Sequence, residues 1–375
     1  MTCFKLSIKV YVFFALVFLL SLSSCKVARF FIFNFADIND HKKFPKREIE
    51  ISENTFVFPY AKDEKVPKDL TIKGEKIAFK TFLEENNTVA FLIIKDDSIH
   101  YENYFDGYQA SSIVPSFSMA KSVTSILIGC AIDDGLIQSV DEPVTNYIPE
   151  LKENGFDQVN IEHLLQMTSG LDYNEGYSNP FGDVASFYYG RNLRKQLAKM
   201  KLKADAGKDF EYLSGNTQIL GLVLERALKD QTVSNYLEEK LWKPLQMEYS
   251  ATWSIDKKKE GLEKTFCCIN ARARDYAKIG RLYLNRGKWN NEQIISEEWV
   301  ERSTKLDTSK GSAWFYQYQW WLPSKTGDFM AQGILGQYIY VNPNSNVIIV
   351  RLGKNSGKAD WWTILSSLGQ SYEDN

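Results

Sequence analysis

The sequence predicts an α+β fold in which an antiparallel sheet, made from both ends of the chain, carries helices and an inserted, mostly helical subdomain. Strand patterns come first and last: residues 89–95 (VAFLIIK) and 99–105 near the start, 338–341 and 347–352 near the end. Between them the hydrophobic period changes from two to 3.6, and that helical block runs over about 136–285. With 375 residues, 44% of them hydrophobic, the chain has ample material for a large core.

Taken in order, residues 89–95 form a compact apolar run that reads as a buried strand. Asp96-Asp97-Ser98 is a turn signal, so 89–105 reads as a hairpin. From Ser118 on, Val123, Ile126, Leu127, Cys130 and Ala131 recur at helical spacing, and Gly135 is placed to stop that helix. Residues 161–167, 217–228 and 271–284 carry the same period. Asn342-Pro343-Asn344-Ser345-Asn346 is a strong turn between the last two strands, and 361–368 reads as a closing helix.

The N-terminus has a different character. Lys5 and Lys9 precede an apolar run over 10–20, too short to span a bilayer comfortably, and Leu22-Ser23-Ser24 leads into Cys25. This stretch resembles a bacterial lipobox, which implies a signal peptide over 1–24 and lipidation of Cys25. The expectation is an extracytoplasmic lipoprotein held on a membrane by that anchor. Residues 25–75, interrupted by Pro45, Pro59 and Pro67, read as a stalk and N-terminal wrap. The domain proper is expected over 76–375.

Charge and cysteine usage exclude several classes. A formal charge of −2 offers no basic excess for nucleic acid. Cys130, Cys267 and Cys268 make neither a disulfide framework nor a metal site of known spacing, and three scattered histidines give no zinc pattern. No metal or cofactor is expected, and no protein partner is implied.

Ser118-Met119-Ala120-Lys121 opens the long helix. Residues three apart share a helix face, so the lysine amine can reach the serine hydroxyl. The apolar flank of Phe117, Met119 and Val123 supplies the burial that makes a lysine a usable base. Three ordered segments then carry a resemblance: 115–135 (PSFSMAKSVTSILIGCAIDDG), 161–175 (IEHLLQMTSGLDYNE) and 210–226 (FEYLSGNTQILGLVLER). Together they resemble the β-lactamase-related serine hydrolases, with the flavour of class C β-lactamase-like esterases and 6-aminohexanoate-dimer hydrolases. The resemblance covers about residues 85–370 and implies a β-lactamase/transpeptidase-like fold.

It also implies roles. Ser118 would be the acylated nucleophile, Lys121 its proton acceptor and Tyr212 a phenolate or a relay bonded to Lys121. Ser214 stands where relatives have an asparagine, with Asn216 two residues on, and both are expected at the substrate. In Ala331-Gln332-Gly333, Gly333 would let a substrate backbone lie close. The N–H of Ile334 would form the oxyanion hole with that of Ser118. The Lys-Thr or His-Thr pair of true β-lactamases is replaced by Ala331-Gln332, which argues against antibiotic hydrolysis. His163 reads as a core or cap histidine. Trp314, Tyr316, Trp320 and Trp321 either line the pocket or pack in the core. The expected activity is hydrolysis of a small ester or amide through an acyl-enzyme. A D-Ala-D-Ala-directed peptidase or β-lactamase, and a catalytically silent binding or sensor protein, are the alternatives.

Overall fold

The computed structural model describes residue 29 and residues 35–72, 74–309 and 311–373. The signal segment and Cys25 lie outside the described residues.

The central sheet has seven antiparallel strands. In chain order they are β1 (Thr88–Lys95), β2 (Ser98–Tyr104), β3 (Tyr316–Gln317), β4 (Trp320–Trp321), β5 (Phe329–Gly333), β6 (Gln337–Asn342) and β7 (Val347–Gly353). Their spatial order is β3-β4-β5-β6-β7-β1-β2, so the N-terminal hairpin joins the C-terminal meander where β7 pairs with β1, Ile349 opposite Ile93. Both faces of the sheet are covered, which is why all eight residues of β1 are buried. The period of two sorts them. Leu92, Ile94, Ile339, Val341, Ile348 and Val350 enter one core; Phe91, Ile93, Tyr338, Tyr340, Val347 and Ile349 enter the other.

The second face is closed by α1 (Phe79–Glu85) and α5 (Trp361–Gln370). On the first face lie α2 (Met119–Asp133) and α4 (Ala273–Leu284), with α3 (Ser214–Leu228) packed on α2. Gly280 lets α4 approach closely, because a Cβ there would come within 2.9 Å of Ile348 and 3.1 Å of Ile339.

Three features depart from the sequence reading. First, α4 covers the sheet, so the helical block that was expected to run to about 285 ends before it. Second, that block contains strand: Ala251–Ser254 and Ile269–Ala271 join Val114–Pro115 and Lys46–Ile49 in a four-stranded second sheet. Runs of two to four residues are too short to carry a legible period. Third, of the expected stalk and wrap, residues 36–60 form the wrap and not a stalk. Ile38, Phe44, Ile49 and Phe58 are buried in the main core, and Lys46–Ile49 pairs with Ala251–Ser254.

The cysteine expectation is corrected as well. Cys267 and Cys268 are joined to each other in a disulfide, while Cys130 is free and buried.

Candidate active site

The nucleophile turn is pinned from beneath by the second sheet. Val114–Pro115 pairs with residues 270–271, and the Ser116 hydroxyl oxygen accepts from the Ile269 N–H at 3.1 Å. Phe117 is then forced to φ +44°, a costly region for a bulky residue, and Ser118 enters the helix at φ −68° as the residue before α2. The turn presents Ser118, half-buried, at the floor of a cavity of about 280 Å3.

Lys121 lies one turn on and is almost completely buried, at 1% exposure. Its Nζ touches three oxygens: Ser118 Oγ at 3.0 Å, Ser214 Oγ at 3.1 Å and the Phe266 carbonyl at 2.8 Å. Burial disfavours the ammonium and lowers its pKa to about 8, against the opposing pull of the Glu175 carboxylate. Phe266 is held in place by the neighbouring Thr265 carbonyl, which accepts from the Thr124 hydroxyl of α2 at 3.0 Å.

Ser214 begins α3, and its environment holds a residue that the sequence reading assigned no role. Glu175 accepts from the Ser214 N–H at 2.7 Å and from the Ser214 hydroxyl at 2.6 Å. An acidic side chain at a helix N-terminus satisfies an otherwise unpaired donor and suits the positive end of the helix. A glutamate in the segment after α2 was the only available signal, and nothing in its spacing from Ser214 marked it.

Tyr212 packs its ring 5.2 Å from Lys121 Nζ, 5.2 Å from the Trp321 ring and edge-on to Tyr316 at 5.7 Å. Burial raises its pKa, an interaction with the Ser118 side chain opposes this, and Glu175 adds to the rise. The hydroxyl is therefore protonated at neutral pH, which disfavours the phenolate alternative. Tyr316 and Trp321 buttress Tyr212 and do not line the cavity. Trp320 is buried against Tyr283 at 4.2 Å, and Trp314 sits edge-on to Phe315.

Strand β5 runs past the nucleophile. Ala331 and Gly333 point to the α2 side; a Cβ on Gly333 would run into the Ser116 carbonyl oxygen and stand 3.1 Å from the Ser118 nitrogen. Glycine thus permits the strand end to lie against the first turn, and Ile334 follows into the cavity wall. Gln332 points the other way, its side-chain oxygen accepting from Trp362 Nε1 at 2.8 Å. No cation stands on this strand beside Ser118.

One expected site residue is misplaced. Asn216 is fully buried, accepts from the Ser169 hydroxyl at 2.5 Å and donates to Met167 Sδ at 3.3 Å. It lies in the first turn of α3, facing the 161–175 segment. It supports the site from behind: its side chain is not part of the cavity lining and makes no cap bond to the helix. His163 completes a capping box with Asn160, accepting from its N–H at 3.2 Å.

Comparison with known proteins follows this geometry. The beta-lactamase family matches residues 78–360. A 6-aminohexanoate-dimer hydrolase of Paenarthrobacter ureafaciens is 29% identical over 291 residues, covering 72% of this chain and 73% of its own. Among solved structures, a Bacillus anthracis protein titled as a provisional 6-aminohexanoate-dimer hydrolase superposes with a TM-score of 0.77 at 24% identity, covering 89% of this chain and 91% of its own. A family VIII carboxylesterase superposes with a TM-score of 0.60 at 14% identity, over 78% and 95% of the two chains. The family match spans most of the chain, and the chain is a member of the beta-lactamase family, a serine hydrolase by descent.

Proposed function

We propose that the protein hydrolyses a small ester or amide through an acyl-enzyme on Ser118, with Lys121 as general base. One observation carries the assignment: the hydrogen bonds around Lys121 leave its lone pair only one direction. Ser214 gives its single hydroxyl proton to Glu175, so towards Lys121 it can only accept, and the Phe266 carbonyl can only accept. A neutral amine spends its two N–H bonds on these oxygens, and its lone pair is left for the Ser118 hydroxyl 3.0 Å away. With a pKa of about 8, a useful fraction of Lys121 is neutral near physiological pH.

In this reading Ser118 Oγ attacks the acyl carbonyl and its proton passes to Lys121. The backbone N–H groups of Ser118 and Ile334 receive the oxyanion. Tyr212, neutral and beside both Ser118 and Lys121, relays the proton to the departing alkoxide or amine. Water then attacks the acyl-serine with Lys121 again taking the proton. Similarity to a 6-aminohexanoate-dimer hydrolase supports an amide or ester as the substrate class in this reading. Ala331 beside the nucleophile offers no cation to a β-lactam carboxylate or a D-Ala terminus.

The test is burst kinetics on residues 26–375 with p-nitrophenyl esters beside nitrocefin, in wild type and Ser118→Ala. An ester burst lost in the variant, with nitrocefin untouched, is the expected result. Nitrocefin turnover would replace this reading with a β-lactamase. No Ser118-dependent adduct by mass spectrometry would leave a silent binding protein.

We also propose that Cys25 carries the lipid anchor and that the domain faces an extracytoplasmic space. Cys25→Ala should then move the protein from the membrane to the aqueous fraction, and a variant that stays with membranes would refute it.

A further inference from the structure

The cavity at Ser118 is walled by apolar and aromatic side chains together with the Ser118 and Ser214 hydroxyls, and among the described residues no lysine, arginine, aspartate or glutamate lines it. At about 280 Å3 it is at the small end for ligand pockets. One wall comes from an unexpected part of the chain. Phe35 and Ala36, more than forty residues before the beta-lactamase match begins, line the cavity together with Ile334 and Leu335.

That wall is fastened immediately behind itself. Ile38 is buried in the core, and buried Asp40 accepts from the Tyr188 hydroxyl at 2.6 Å. The Asp37 N–H and the Lys43 ammonium hold the same carboxylate at 3.0 and 2.7 Å. Phe44 packs edge-on to Tyr188 at 5.1 Å. Buried Lys264 lies 3.7 Å over the Phe44 ring and donates to the Tyr188 carbonyl. Tyr188 itself lines the cavity, so the fastening and the pocket share a residue.

From this we infer that Phe35 and Ala36, anchored by residues 37–44, are a fixed wall of the acyl pocket, and that they make Ser118 select a neutral, apolar acyl chain of limited length. The inference rests on the acyl-serine reading. A terminal carboxylate on the chain would enter a wall none of whose described lining residues is charged, and burying it there is opposed by its lost hydration; Arg29 and Lys264, behind Tyr189 and Tyr188, each donate to a main-chain carbonyl. Phe35, which lines the cavity while 57% exposed, offers a matching chain the apolar face of its ring, and the small cavity volume limits chain length.

The experiment uses p-nitrophenyl alkylphosphonates, which report acylation without requiring turnover. Ser118 Oγ bonds to phosphorus, p-nitrophenolate leaves, and the hydroxyl proton goes to Lys121. Inactivation rates are compared for methyl, hexyl and carboxypentyl phosphonates. In wild type the hexyl reagent should outpace the carboxypentyl one by about 100-fold or more. Phe35→Ala should lower the hexyl-to-methyl ratio about 3- to 10-fold, the loss of one aromatic contact. Phe35→Trp should lower the same ratio by blocking, while a decyl reagent, run beside the others, should gain on hexyl in Phe35→Ala and lose further in Phe35→Trp. A merely structural role for Phe35 would slow all reagents alike, and unchanged ratios in both variants overturn the wall. Absence of any Ser118 adduct in wild type overturns the underlying hydrolase reading instead, and the two failures are distinct.

Discussion

Ser214 donates its only hydroxyl proton to Glu175, 2.6 Å away, and Glu175 also holds the Ser214 backbone N–H. A carboxylate outside the reacting atoms thereby fixes which way the hydrogen bonds around Lys121 run. Because Glu175 also favours the ammonium form of Lys121, its removal has two separable effects. In Glu175→Gln the acid limb of kcat/KM should move to lower pH, since an anion no longer stabilises the protonated lysine. The plateau should fall about 10-fold or more, because an amide can present N–H to Ser214 and release its orientation. A stopped-flow pH profile checks both, and a limb that stays in place refutes the Coulombic role.

In the wild type the same profile has a definite sign. Lys121 must be neutral to accept a proton, and its pKa is about 8. Ester kcat/KM should therefore rise as pH increases through about 8 and level above it. A rate that falls across that window would mean that Lys121 acts as an ammonium.

Tyr212→Phe keeps the ring contacts to Tyr316 and Trp321 and deletes only the hydroxyl. The fold should remain, with a melting temperature near that of wild type, while the rate of acylation drops about 100- to 10,000-fold, the span for a positioned acid–base group. An effect confined to KM would remove Tyr212 from the proton path.

Gly333→Ala places a methyl group against the Ser116 carbonyl and beside the Ser118 nitrogen. Separating β5 from the nucleophile turn should cost about 100-fold or more in kcat, the scale of a lost oxyanion donor. Circular dichroism and p-nitrophenyl ester turnover on the same sample test whether activity is lost with the fold intact.

Lys264 gives a stability prediction. Burial lowers its pKa to about 7 in the folded protein, aided by Arg29 and opposed by Asp256 and Asp40, from 10.5 in the open chain. The unfolded state therefore binds more protons between those values. The penalty on the fold is complete below about 7 and is lifted as pH rises towards 10.5. The stability of wild type relative to Lys264→Met should accordingly increase with pH across that window in urea titrations. A pH-independent difference would show that the lysine is charged throughout.

Much of this architecture is legible because its signals are local. Ser118 and Lys121 are three residues apart on one helix, and the strands at 89–95 and 347–352 announce themselves by composition and turns. The remainder of the site is assembled over distance. Glu175 meets Ser214 across 39 positions, and the Phe266 carbonyl reaches Lys121 across 145, contributed by a backbone atom that every residue possesses. Asn216 was placed at the substrate because its neighbours are, yet helical geometry turns it to Ser169. The wall at Phe35 precedes the family match altogether, and the link between Cys267 and Cys268 involves two adjacent thiols, a spacing that fits no loop-closing framework.

The pairing of β1 with β7 joins residues synthesised some 250 positions apart, Ile93 with Ile349. Until the ribosome has made the second strand, the first has eight residues destined for burial and an unsatisfied edge. Closing so long a loop is slow, and a chain caught before closure exposes a sticky template. A nascent chain that has already displayed Ser118 and Lys121 is thus still unable to bring β5 against them. Hydrolytic competence arrives only with the last strands, so any appearance of activity during synthesis times the completion of the sheet.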